Sequence, residues 1–405
     1  MNYLPQPSKK IISSIDKLNH YKKIFAHNKK KDTSILLLKK KEFDIFYSCK
    51  RKYPLLVAET ITSLTGKTDP NEPTIDRRAI EDPFREDAEI PPKYQHTLND
   101  YLKYMEYGGS MGHNAPAGQH KTNLEIYYET FLLSNITPQE MVFNSGLWVL
   151  MENWCKYLGK HNGIKNIRVM TGSIPESHPI PNDLYRTPSS RFSRDKEHNF
   201  NGVKMNIPIK MFKIVCFELI NKPGITFIEI LIANNSAYYI SPKTTRYDLT
   251  PFLVPSKSLD WFQNFSGIDI SSLLEYYRFN NKNIKPFRSV VSMEIYLSPA
   301  LQHLMKKSNW FGYLIYSPSL SHLEHKWEEC KKLEKEFETL RYHEQFYELT
   351  KKRLIRNEKS MIDLKSFVNS NKLFKKIITL HTAKKIHSKT HSTKTKTKTN
   401  KTVQK

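Results

Sequence analysis

The chain has 405 residues, 39% of them hydrophobic, which is enough to bury one large core or two modest ones. Its 64 Lys and Arg outnumber 40 Asp and Glu, a formal net charge of +24 that favours polyanions such as nucleic acid or an anionic membrane surface, although a Lys-rich composition alone gives the same balance. Cys49, Cys155, Cys216 and Cys330 lie far apart, which excludes a Cys-x-x-Cys zinc or redox motif, and no run of about 18 apolar residues offers a membrane-spanning helix.

Residues 1–41 are rich in lysine, with Asp16 and Asp32 as the acids, and read as a basic leader or a disordered arm. "KYPLLVAETIT" (52–62), "NIRVMTGSI" (166–174), "MFKIVCFELI" (211–220) and "ITFIEILIAN" (225–234) are β-branched and aromatic runs that predict strands. "NSGLWVLMENWCKYLG" (144–159) has apolar residues at helical spacing. Strands and helices interleave irregularly, which predicts an α+β fold over 42–319. Residues 175–206, full of Pro, Ser and charge, read as a long loop. From 320 to 382 the chain reads as a helical wing. Leu323, Trp327, Cys330, Leu333, Phe337 and Leu340 recur at three- and four-residue steps and predict one apolar helix face there. The Lys- and Thr-rich end, 383–405, has no acid and predicts a disordered tail.

The stretch "GGSMGHNAPAGQH" (108–120) carries the chemistry. Hydrolysing a phosphodiester needs a base for water, a cation to offset charge on the leaving oxygen, and positive groups to hold the phosphate. A neutral His, with a pKa of ~6.5, suits the first task. Magnesium suits the second and, because it keeps several waters, needs few protein oxygens. One His among 15 proves little, but Gly108, Gly109 and Gly112 around His113 let the backbone turn and approach a ligand. Asn144, Trp148 and Glu152 fall near one face of the predicted helix, where Asn144 also suits an N-cap.

"SMGHNAPAGQHK" (110–121), "ETFLLSNITPQ" (129–139) and "NSGLWVLMENWCKYL" (144–158) together resemble the DNA/RNA non-specific endonuclease family, the ββα-metal nucleases. Ser110, where most of the family has Asp, resembles the mitochondrial exo/endonuclease G branch, as do "TGSIP" (171–175) and "FLVPSKSL" (252–259). The resemblance implies a ββα-metal nuclease core with a C-terminal helical wing, acting on DNA or RNA in endo- or exonucleolytic mode. It implies His113 as general base and Asn144 as the direct ligand of magnesium, with manganese able to substitute. Asn135 would position His113 and the phosphate, and Glu152 would hold water of the metal. Arg77 would contact the phosphate, and Lys121, Arg78 and Arg85 would bind nucleic acid. Arg78 and Arg85 equally suit ion pairs with Asp76, Glu81 or Asp87. A homodimer and a mitochondrial location are further implications.

Met111 departs from the family, which has Arg there. A thioether cannot pair with phosphate, so the expected loss is ~10²–10³ in rate by analogy with removal of one oxyanion donor. Arg77 and Lys121 are the candidate substitutes. Two readings stay open: an active metal-dependent nuclease of reduced rate, or an attenuated relative kept as a nucleic-acid-binding or structural protein of a mitochondrial ribonucleoprotein.

Overall fold

A computed structural model describes residues 23–25, 34–62, 64–67, 70, 75, 83–174, 197–200, 202–241, 243–254, 259–286, 291–333 and 337–370. Its centre is a seven-stranded sheet. In spatial order the strands are β1 (Ile35–Lys39), β2 (Phe43–Ser48), β3 (Tyr53–Ile61), β6 (Ile164–Ile174), β9 (Lys210–Leu219), β10 (Lys222–Asn234) and β12 (Ile284–Pro286). Neighbours are antiparallel except β10 and β12, which are parallel. The four runs predicted as strands from the sequence are β3, β6, β9 and β10.

The sheet is buried on both faces because its strands are apolar at odd and even positions alike. Phe212, Ile214 and Cys216 of β9 pack with Phe262, Leu273 and Leu274, which lie on the helices α4 (Leu259–Ser266) and α5 (Ile270–Tyr276). Met211, Val215 and Phe217 face the other way, toward Trp148, Met151 and Trp154. Those residues belong to α3, which runs through Met141–Phe143, a π-helical turn Asn144–Trp148, and Val149–Leu158. A separate hairpin of β4 (Gly109–His113) and β5 (Ile136–Glu140) leads directly into α3. Strand, strand and helix thus form a ββα unit laid on the sheet. Helix α1 (Leu98–Met105), opened by a Thr97–Asp100 capping box, supports the hairpin. Its Tyr101 and Tyr104 hydroxyls donate to the carbonyls of Ile136 and Gln139.

Three elements differ from the sequence reading. The basic segment 1–41 contains β1, paired with β2 over five residues, and Ile24 is buried beside Phe46. Lysines on both sides hide the apolar run "ILLL" when composition is averaged over the segment. Within 175–206, residues 175–196 lie outside the described residues, but β7 (Glu197–Phe200) and β8 (Val203–Asn206) form a hairpin that turns at Gly202, φ 87°. Phe200 and Met205 close over Tyr101 and Tyr104, so burial outweighs the loop-like composition. A helix, α6 (Pro299–Ile315), precedes residue 320, and α7 (Leu320–Leu333) and α8 (Phe337–Ser370) follow it. Leu323 and Cys330 of the predicted stripe are buried and Trp327 packs against the cluster around Leu323, but Leu333 ends α7 exposed. The side chains of Phe337 and Leu340, and the tail 383–405, lie outside the described residues. Among the described residues no helix is long and apolar enough to cross a membrane.

The turn that follows β4 is tied to the sheet by charge. His120 bridges Glu42 at 2.7 Å and Glu59 at 2.8 Å, with its ring against Phe43. Burial opposes a charge on His120, yet hydrogen bonds to the two carboxylates and their negative charge raise it to about 9. An unfolded His titrates at ~6.5. The folded value is the higher one, so the contribution to stability is complete below about pH 6.5 and is lost as pH rises through about 9, a linkage on the order of 3 kcal/mol. Urea unfolding followed from about pH 6 to about pH 10 is expected to show stability falling across that window, and His120→Gln is expected to flatten the fall. Identical profiles for parent and variant would count against the clamp.

Candidate active site

The register of the hairpin sets the site. Gly112 pairs with Thr137 and His113 with Ile136, so His113 is the last residue of β4, at the mouth of the hairpin. A Cβ on Gly112 would stand 2.2 Å from Gln139 Cδ, so a larger residue there would displace the buried Gln139 side chain. The His113 ring is held edge-on by Phe131, centroids 4.9 Å apart, and tilted against Phe84 at 5.4 Å. Next along the chain, Asn114 and Asn135 interlock. Asn114 Nδ2 donates to Asn135 O and to Thr137 Oγ1, both at 2.8 Å. Asn135 Oδ1 accepts from Ala115 N at 3.0 Å, and its Nδ2 donates to Ala115 O and Thr130 O at 2.9 Å. The turn leaving His113 is thereby fixed.

A cavity of about 340 Å³ brings His113 together with Asn144 and Glu152. Asn144 starts the π turn, a distortion that recurs at functional sites because it rotates side chains out of the α-helical register. Its Nδ2 donates to Ser110 Oγ at 2.7 Å, which gives Ser110 a physical role and leaves the amide oxygen as the end able to meet a cation. Glu152 lies two turns further along α3. Burial pushes its carboxyl up to about 7, eased by the charge of Lys213 and reinforced by that of Glu59. Gln119 ties the preceding turn to α3 through a 3.1 Å bond from its amide to Glu152 O. The donor set is one amide oxygen and one carboxylate. Such hard oxygens suit magnesium, which keeps several waters and takes one or two protein oxygens. Among the described residues no group of three or more His, Cys, Asp or Glu forms a closed metal cage.

Of the residues singled out from sequence, His113, Asn144 and Glu152 thus line one cavity. Asn135 does not reach it. The side chain is fully buried, its amide oxygen accepting from Ala115 N and its amide nitrogen donating to Ala115 O and Thr130 O. Lys121 lies outside the lining residues, its ammonium 5.9 Å over the Tyr127 ring. Arg85 donates to Pro83 O at 3.2 Å and lies 5.3 Å from the Tyr128 ring centroid. Asp87, a candidate ion-pair partner of Arg85, holds Lys40 at 2.8 Å and accepts from Ser134 Oγ at 2.5 Å, while its charge also acts on Arg85. Arg77 and Arg78 lie outside the described residues. Met111 packs against the Tyr101–Phe200 cluster.

Sequence reasoning missed Asn114, the His120 clamp, the buried Lys213, and Lys307 and Phe311 of α6, which line the cavity. Asn114 had a usable signal, since it directly follows His113. The others are joined to the site by distant elements and carry no local mark.

Residues 20–276 match the DNA/RNA non-specific endonuclease family. The chain is 28% identical over 243 residues to the mitochondrial nuclease of Saccharomyces cerevisiae, covering 58% of this chain and 65% of that protein. It is 40% identical over 97 residues to the mitochondrial nuclease EXOG of Xenopus laevis, covering 24% of this chain and 26% of that protein. Human mitochondrial nuclease EXOG is 25% identical over 232 residues, with 52% and 58% covered. The chain therefore spans less than two thirds of the length of these relatives. A chain in the crystal structure of the EndoG/EndoGI complex superposes with a TM-score of 0.47 at 22% identity, covering 66% of this chain and 95% of that one.

The Asn114–Asn135 interlock is open to a direct test. Asn135→Ala removes three hydrogen bonds and leaves the buried Ala115 N–H unpaired. Such a group costs ~1–3 kcal/mol and the lost bonds add to it, so a total of about 2–4 kcal/mol is expected. The readout is the urea midpoint at unchanged m. A loss below about 1 kcal/mol would show that the interlock holds nothing in place.

Proposed function

The chain belongs to the DNA/RNA non-specific endonuclease family, and from that premise we propose that it is a magnesium-dependent nuclease cutting phosphodiester bonds of DNA or RNA. The observation that carries the reading is the convergence of His113, Asn144 and Glu152 on one cavity. In this reading His113 is the general base. It takes the proton of an attacking water on a ring nitrogen while oxygen bonds to phosphorus and the bond to the leaving oxygen breaks. Phe84 and Phe131 hold the imidazole at a fixed angle, so little reorganisation precedes the transfer. Asn144 would hold one magnesium through its amide oxygen and Glu152 would hold the water around it. The ion, with manganese able to substitute, supplies Lewis-acid stabilisation of the leaving oxygen. Ser110 keeps the Asn144 amide from rotating. Asn135 acts at one remove, through Asn114 and Ala115. Lys121, with Lys156 on α3 close enough for the two charges to oppose each other, offers the nucleic-acid backbone a basic margin beside the turn. Arg78, Arg85 and Arg77 remain candidate backbone contacts on resemblance alone.

The wider proposals rest on relatives. A mitochondrial location follows from the yeast and vertebrate relatives, which are mitochondrial nucleases. A homodimer follows the family resemblance, as does the division into a nuclease core, a helical wing and a basic tail. One feature favours the second reading, an attenuated protein that binds nucleic acid: Met111 is packed among aromatic rings, where it offers phosphate no charge.

Nicking of supercoiled plasmid in magnesium, beside the same reaction in EDTA, decides between the readings. Cutting is expected only with the metal. His113→Ala and Asn144→Ala are each expected to lower the single-turnover rate by ~10² or more, the scale of a lost base or electrostatic group. Tight binding without cutting by the parent protein would leave the attenuated reading standing.

A further inference from the structure

Met111 and His113 stand two residues apart on β4 and so on the same face of the hairpin. A cation at 111 would reach the site from that side, but the thioether there packs against the Tyr101–Phe200 cluster. Of the two cations expected from sequence to substitute, Lys121 lies outside the cavity lining and Arg77 outside the described residues. Charge enters the cavity elsewhere in its lining. There α6 contributes Leu304, Lys307 and Phe311, spaced as one face of a helix. Among the described residues Lys307 is the one cation that lines the cavity.

Lys307 is placed with some rigidity. It is half-buried, and its ammonium lies 5.7 Å from the centroid of the Phe311 ring, whose face attracts a cation and keeps it at the wall. The backbone beneath it is anchored on both sides. Ser308 Oγ donates to Val142 O at 3.1 Å, and a Cβ on Gly146 would stand 2.9 Å from that same Oγ, so α6 lies directly on the π turn that bears Asn144. His343 Nε2 lies 3.4 Å from Lys307 O, which ties the residue to α8.

We propose that Lys307 is the phosphate-binding cation of this site. It supplies from the helical wing the charge that Met111 withholds from the strand, and this rests on the nuclease reading above. Its ammonium would meet the phosphate in the cavity that His113 also lines and offset negative charge that grows on the phosphoryl oxygens during attack.

The test uses the full chain with Lys307→Met, Lys307→Arg and, as a matched charge loss outside the cavity lining, Lys306→Met. Two quantities are measured: the single-turnover rate on a short duplex in magnesium, and the salt dependence of binding to the same duplex in EDTA. Lys307→Met is expected to slow cutting by ~10-fold or more and to reduce the log–log salt slope by ~0.7–0.9, one phosphate contact. Lys307→Arg is expected to keep most of the rate, and Lys306→Met to cut at the parental rate. Met111→Arg added to Lys307→Met is expected to recover more rate than it adds to the parent, because both positions serve one phosphate. Thermal melts of each variant separate loss of charge from loss of fold. A folded Lys307→Met with parental rate and parental slope overturns the proposal. If the parent does not cut at all, the nuclease reading fails, and the metal-free slope alone decides whether Lys307 holds phosphate.

Discussion

Lys213 stands in β9, an interior strand, with its side chain 1% exposed, and much of the architecture answers the need to balance that charge. An uncompensated buried ammonium costs several kcal/mol. Here it donates to Thr171 Oγ1, its cross-strand partner, at 2.8 Å and lies 4.5 Å from the Trp148 ring centroid. Its charge draws Glu152 down against the burial that raises it, while Glu59 pushes Glu152 the other way. Glu59 in turn is bound by His120, and His120 by Glu42. A layer of alternating charge therefore runs from the start of β2 through β3 and the turn after β4 to α3. It joins the three parts of the chain that must keep register for His113 and Glu152 to share a cavity. A core packed by hydrophobic burial alone would hold the same layers together. It would not fix how the turn bearing Gly118 sits against α3, because apolar contacts lack direction.

What was legible in the sequence divides along the same line. Strands β3, β6, β9 and β10 could be read because β-branched and aromatic residues in runs report local fitness for a pleated sheet. The candidate site could be read because three of its members sit in motifs of fixed local spacing, and Asn144 and Glu152 share one helix. The function assigned to Asn135 was only half legible. Its place beside β5 was visible, but full burial and a spent amide depend on Ala115 and Thr130 folding around it. Strand β1 was hidden because lysines flanking a short apolar run lower any average taken across it. The β7–β8 hairpin was hidden because its stability comes from Phe200 and Met205 meeting tyrosines of α1. The His120 clamp and the Lys307 wall pair residues that no local pattern connects.

The π turn of α3 has two consequences that are hard to separate. It presents Asn144 to the cavity, held there by Ser110, and it puts Gly146 where α6 can approach closely enough for Ser308 to bond Val142 O. The wing is therefore seated on the same local distortion that builds the site. Val142, Phe311, Ile315 and Phe346 form a shared apolar cluster at that junction. A strand-borne arginine at position 111 would be held by the β4–β5 register and would meet phosphate with a planar fork. A lysine from α6 depends instead on this seat, and it meets phosphate as a compact point charge on a flexible stem. The exchange would loosen the orientation demanded of the phosphate and make its electrostatic stabilisation depend on the packing of the wing. In that proposal the ββα unit and α6 would act together. Loosening the Phe311–Phe346 contact would disturb chemistry at His113 without touching any residue of the hairpin.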